Sequence, residues 1–121
     1  MNKEIQIFRS VHFQNDVNSL TFAASNLTFK QTRTLVEMLK SGNNVSQLQK
    51  IDKIGLDKPL FAMKIQKDLR VLLTLEAHPI QPDYTLTFLR TIRLPCVQEA
   101  VETLDTEEVC APFEFTFNGF W

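Results

Sequence analysis

Between residues 59 and 76, apolar side chains recur at every second position, break at Lys67-Asp68, and then recur again. Phe61, Met63 and Ile65 alternate with Ala62, Lys64 and Gln66. Beyond the break, Leu69, Val71, Leu73 and Leu75 alternate with Arg70, Leu72, Thr74 and Glu76. A period of two sends successive side chains to opposite faces of an extended chain. The stretch therefore predicts a β-hairpin with a short polar turn. Its turn is not the favoured Asn-Gly or Asp-Gly, so the strands rather than the turn carry the assignment. The hairpin is apolar enough to sit at the centre of a sheet, yet it carries Lys64, Lys67 and Arg70.

The rest of the chain can be arranged around that hairpin. Residues 4–8 alternate polar and apolar and predict an opening strand. Phe13, Val17 and Leu20 fall on one face of a short helix over residues 13–20. Residues 28–40 give the clearest helical pattern. Thr28 and Gln31 have the spacing of a capping box, and Leu35, Met38 and Leu39 share a face. Lys40 suits the negative C-terminal end, and Gly42 is placed to stop the helix. Residues 45–56 read as a short helix or as an extended arm. Gly55 and Pro59 mark the passage into the hairpin.

After the hairpin, His78, Pro79, Pro82 and Asp83 compose a loop. Residues 85–93 alternate again and predict a third strand rich in Thr and Phe. Pro95 opens a helix expected to run to about Leu104, with Val97, Ala100, Val101 and Leu104 as its apolar stripe. Phe113, Phe115 and Phe117 then recur at period two before Phe120-Trp121, as a further strand or as a segment that covers a partner. The expected fold is α+β: a curved, mostly antiparallel sheet of four to five strands, with two N-terminal helices and one late helix packed on it.

A chain of 121 residues can bury one substantial core, so a single domain over 1–121 is expected, with an acidic, Phe-rich extension over about 105–121. The ten Phe, against one Tyr and one Trp, suit a core built on phenyl rings. No apolar run approaches the roughly 18 to 20 residues that span a bilayer, and no signal-type apolar segment follows the first residues. A cytoplasmic protein without membrane contact is expected. There, Cys96 and Cys110 would stay reduced, and with His12 and His78 apart from both, neither a metal site nor a cofactor is expected. The net charge of -1 conceals an asymmetry. Residues 1–93 hold all 13 Lys and Arg against eight acids, whereas residues 94–121 hold six acids and no base. A basic body of this kind attracts polyanions; the acidic end shields it, repels nucleic acid, or is merely solvated.

Three stretches carry a likeness to a known family. A strand ending at Phe8 leads into an aromatic-x-x-Asp helix, Phe13-Gln14-Asn15-Asp16. The central strand pair runs from Leu60 through Lys64, Asp68 and Arg70-Val71 to Leu73. A third strand, Leu86-Thr87-Phe88-Leu89-Arg90-Thr91-Ile92-Arg93, precedes the last helix. In layout the chain resembles the RelE/ParE superfamily of bacterial toxins over residues 4–104, with the motif content concentrated in 59–93. That resemblance implies the toxin component of a toxin–antitoxin system, of the mRNA interferase type. It implies RNA as a partner, free or on the ribosome, and a cognate antitoxin covering the basic face. Where many ribonuclease members carry His or Tyr near the exit of the third strand, this chain has Ile92 and Arg93. It also lacks the strongly basic balance usual in the family.

Metal-independent RNA cleavage proceeds by attack of a 2′-hydroxyl on the adjacent phosphate. It requires a base, an acid for the leaving 5′-oxygen, and cations over the developing charge. Arg70, Arg90 and Arg93 are the candidate phosphate clamps, because a guanidinium holds two oxygens at once. Lys64 and Lys67 add charge, and Tyr84, His78 and Glu76 are the available proton-transfer groups. Against each stands a plainer role. Cations on the outer face of a sheet commonly serve solvation and edge protection, Arg70 is placed to pair with Glu76 or Asp68, and Tyr84 and His78 suit packing and loop positions. The alternative function is a non-catalytic module of similar fold that binds a protein, as an immunity, antitoxin or inhibitor component does.

Overall fold

The computed structural model describes residues 5–42, 51–54, 59–77, 84–93 and 110–112. The elements run β1 (Ile5–Ser10), α1 (Val11–Asn18), α2 (Phe22–Lys40), β2 (Ile51–Lys53), β3 (Leu60–Gln66), β4 (Leu69–Ala77), β5 (Tyr84–Arg93) and β6 (Cys110–Pro112). The strands form one mixed sheet in the order β2-β3-β4-β5-β1-β6. Every pairing is antiparallel except β1 with β5, which is parallel. The expected α+β architecture is present, with two three-residue strands, β2 and β6, bringing the sheet to six. The late helix expected from Pro95, the loop around His78 and the Phe-rich residues 113–121 lie outside the described residues.

The hairpin forms where the alternation places it. β3 and β4 pair from Leu60↔Thr74 to Lys64↔Arg70, then slip by one residue so that Gln66 opposes Leu69. Lys67 and Asp68 make the turn, and neither has a positive φ. The primed turns that match strand twist require positive φ, so this turn needs compensation. The extra residue at Ile65 supplies it, since a bulge adds local twist.

One main core lies between the sheet and both helices. Phe61, Met63, Ile65, Leu69, Val71, Leu73 and Leu75 meet Leu86 and Phe88 there, under Phe13 and Val17 of α1 and Leu35, Val36 and Leu39 of α2. The Phe13 ring stacks on Phe88 with centroids 5.2 Å apart and planes at 21°. On the opposite face a smaller cluster joins Leu60, Ala62, Leu72, Leu89 and Ile92. Leu72, which the alternation grouped with Arg70, Thr74 and Glu76, is instead fully buried in this second cluster.

Helix α2 begins earlier than the capping-box spacing suggested. Its N-cap is Thr21, whose side chain accepts from the Ala24 amide, and Thr28 lies seven residues inside. Thr28 and Thr32 are fully buried, each hydroxyl donating to the carbonyl four residues back at 2.8 Å. Satisfied in this way, a Thr can enter a core without an unpaired hydroxyl. Ala24, Thr28 and Thr32 give α2 a slim stripe against the sheet, which widens to Leu35, Val36 and Leu39. Gly42, at φ 94, then ends the helix as expected, with its amide donating to Leu39.

Candidate functional site

Register decides which cations share a face, because residues directly opposite in a ladder point the same way. Lys64 of β3 opposes Arg70 of β4, and Arg70 opposes Ile92 of β5. One step along, Ala62 opposes Leu72, and Leu72 opposes Arg90. Lys64, Arg70 and Arg90 therefore lie on the face away from the helices, around the edge of the Leu60–Leu72–Ile92 cluster. Cβ atoms directly opposite are about 5 Å apart and diagonal ones about 7 to 8 Å, so three cationic stems originate within one small patch.

Their heads are engaged differently. The Arg70 Nη1 donates to the carbonyls of Gln66, Lys67 and Leu69 at 2.8, 3.2 and 3.2 Å. The guanidinium is thereby anchored to its own turn instead of pairing with Asp68 or Glu76. Its Nε and Nη2 donate to nothing among the described residues, so the anchored group presents two remaining donors in a fixed plane. Lys64 is exposed and makes no ion pair or hydrogen bond among the described residues.

Arg90 is committed elsewhere. Its Nε and Nη2 donate to Oδ2 and Oδ1 of Asp16 at 3.0 and 3.1 Å, a two-point clamp on the aromatic-x-x-Asp helix. The same Oδ2 accepts from the Thr91 amide at 3.0 Å. β1 pairs with β5 only as far as Phe88, where the chain turns into α1 at Ser10. Beyond that point α1 completes the edge of β5. Ser10 Oγ donates to the Leu89 carbonyl at 2.6 Å while accepting from the Phe13 amide as the helix cap, and Asp16 takes the Thr91 amide. The β4–β5 ladder slips at the same place, between Leu72 and Leu73, leaving Leu89 as the extra residue.

The other expected site residues are dispersed. Arg93 opposes Leu69, at the strand end, and its Nη1 reaches Asp68 of the turn at 2.9 Å, both side chains exposed. Lys67 is exposed at the turn itself. Tyr84 opens β5, opposite Ala77 and Ile5, half-buried against the main core. Six positions of strand separate it from Arg90, a span of about 20 Å. Glu76 is likewise six positions from Arg70 along β4, and exposed. His78 lies outside the described residues. The turn, the hairpin register and the third strand thus gather Lys64, Arg70 and Arg90, and leave Tyr84 and Glu76 at the far end of the sheet. Asp16 is the residue that sequence reasoning quoted without giving it a role.

Among the described residues no three His, Cys, Asp or Glu side chains gather as metal ligands, and no helix is long and apolar enough to cross a membrane. No family model and no curated protein matches the chain. Among solved structures, the crystal structure of YafQ from E. coli strain BL21(DE3) is similar to it, at a TM-score of 0.49 and 16% sequence identity, over 78% of this chain and 97% of that one.

Proposed function

We propose that this chain is a toxin of the RelE/ParE type that engages RNA through the outer face of its sheet, with Lys64 and Arg70 as the phosphate-binding pair. One observation carries the reading. Two cations stand directly opposite each other across the β3–β4 ladder, and no carboxylate of the described residues pairs with either. Like charges in that position cost stability, and an anionic ligand removes the cost. Arg70 is suited to the task, since Nη1 is held by the turn while Nε and Nη2 donate to nothing among the described residues. The element order behind the family resemblance, a strand, two helices, a hairpin and a third strand, is also the order in the chain.

In this reading a 2′-hydroxyl attacks the neighbouring phosphorus, the P–O5′ bond breaks, and the products carry a 2′,3′-cyclic phosphate and a 5′-hydroxyl. Lys64 and Arg70 hold the phosphate oxygens and oppose the charge of the phosphorane. A cognate antitoxin would cover this face, in the cytoplasm where both are made. The experiment is induced expression in bacteria with RNA end-mapping. Growth arrest accompanied by 5′-hydroxyl ends, both lost in Lys64→Ala, supports the toxin. Harmless expression with intact RNA sinks it.

A second reading has its own support. Of the expected proton-transfer groups, Tyr84 and Glu76 stand at the far end of the sheet from the cations and His78 lies outside the described residues. A module that binds an acidic protein partner without cleaving anything uses the same face. Retention of an acidic partner, with RNA neither bound nor cut, would favour it.

A further inference from the structure

The outer face offers three cationic positions, but one of them is already neutralised from within the chain. Asp16 lies on the sixth position of α1, with its side chain 18% exposed, and takes both Nε and Nη2 of Arg90. Those are the two donors that a guanidinium would turn toward a phosphate in a two-point contact. Asp16 holds them in place because it is itself fixed: Thr91 donates its amide to Oδ2, and Ser10 ties the start of the same helix to Leu89. The carboxylate cannot leave Arg90 without exposing a strand amide.

We propose that Asp16 is a specificity-determining residue for the cationic face: it removes Arg90 from the set of phosphate ligands and so limits the backbone contacts there to Lys64 and Arg70. This rests on the RNA reading above and deepens it. A face with two ligand cations engages RNA at one or two phosphates and needs further contacts to hold it; a face with three grips any strand. Asp16 therefore keeps general polyanion affinity low while leaving the Lys64–Arg70 pair intact.

The test is the salt dependence of binding to a fluorescein-labelled single-stranded RNA, measured by anisotropy for the full chain. Each phosphate neutralised contributes about 0.7 to the slope of log K against log salt for single strands. Asp16→Asn keeps an acceptor for the Thr91 amide and removes the charge. It is expected to steepen the slope by about 0.7 and to tighten binding about fivefold near 0.1 M salt. Lys64→Gln is expected to make the slope shallower by about the same amount. A purely structural Asp16 would give weaker or unchanged binding in Asp16→Asn, and that result overturns the proposal while leaving the RNA reading standing. If Asp16→Asn fails to fold, Arg90→Gln decides. It is expected to lose less than half of the slope that Lys64→Gln loses, and an equal loss overturns the proposal. A wild-type chain that binds no RNA at any salt overturns the RNA reading and this inference together.

Discussion

Lys64 and Arg70 confront each other across two strands of the same hairpin, and the Arg70 guanidinium is tied by Nη1 to the carbonyls of the turn that joins them. The pair is thus electrostatically unfavourable and geometrically secured. That combination separates what stabilises the fold from what the face can bind.

Lys64→Glu exploits the separation. It converts a like-charge pair into an opposite one on an exposed position, and is expected to raise stability by roughly 0.5 to 1 kcal/mol. RNA binding and growth arrest should be lost in the same variant. Urea unfolding and an induced-growth assay read the two effects, and a loss of both stability and function would mean that Lys64 has a structural partner.

Arg70→Ala and Arg70→Lys should destabilise similarly, by about 1 kcal/mol, because both abandon the three turn carbonyls and those are partly open to solvent. Arg70→Lys retains the charge, so it should keep part of the RNA affinity that Arg70→Ala loses. Faster amide exchange around Lys67 and Asp68 in both variants is the accompanying sign.

Asp16→Ala leaves Arg90 without its clamp and the Thr91 amide without an acceptor. A loss of about 2 to 3 kcal/mol is expected from such a half-buried charged network. Adding Arg90→Ala should cost little more, since the two side chains share one interaction. A double-mutant cycle in urea measures this, and additive losses would show the clamp to be energetically idle.

Two of the phenylalanines should behave oppositely. Phe13 is 0% exposed and stacked on Phe88, so Phe13→Ala should cost about 3 to 5 kcal/mol. Phe22 is 81% exposed at the first position of α2, and Phe22→Ala should change stability by less than about 0.5 kcal/mol. Thermal melts of the two variants, recorded together, provide the check.

What could be read from the chain follows from how local each signal is. The alternation over β3, β4 and β5 was legible because strand faces are written at period two, whereas the register was not, because the bulge at Ile65 moves the partner of Lys64 from Val71 to Arg70. The start of α2 was missed because Thr28 looks like a cap; its hydroxyl in fact closes on Ala24, and the true cap, Thr21, precedes an exposed Phe22 that gives no core signal. Arg90 looked as good a clamp as Arg70. Its commitment to Asp16 spans 74 positions and has no trace in local pattern. The parallel pairing of β1 with β5 was equally invisible, since ladders between distant strands depend on topology and not on either strand's composition.

That pairing also has a temporal meaning. β1 precedes β5 in the chain, yet its parallel ladder needs that strand, and the Ser10–Leu89 contact spans 79 positions. The hairpin can close on its own once residues 60–77 are free to fold, because its contacts are near neighbours, whereas long-range closure is slow. β1 and its helix α1 must therefore wait, edge uncovered, for a strand made more than half a chain later. The hairpin that carries Lys64 and Arg70 can thus form before the contact that ties Arg90 to Asp16 across 74 positions.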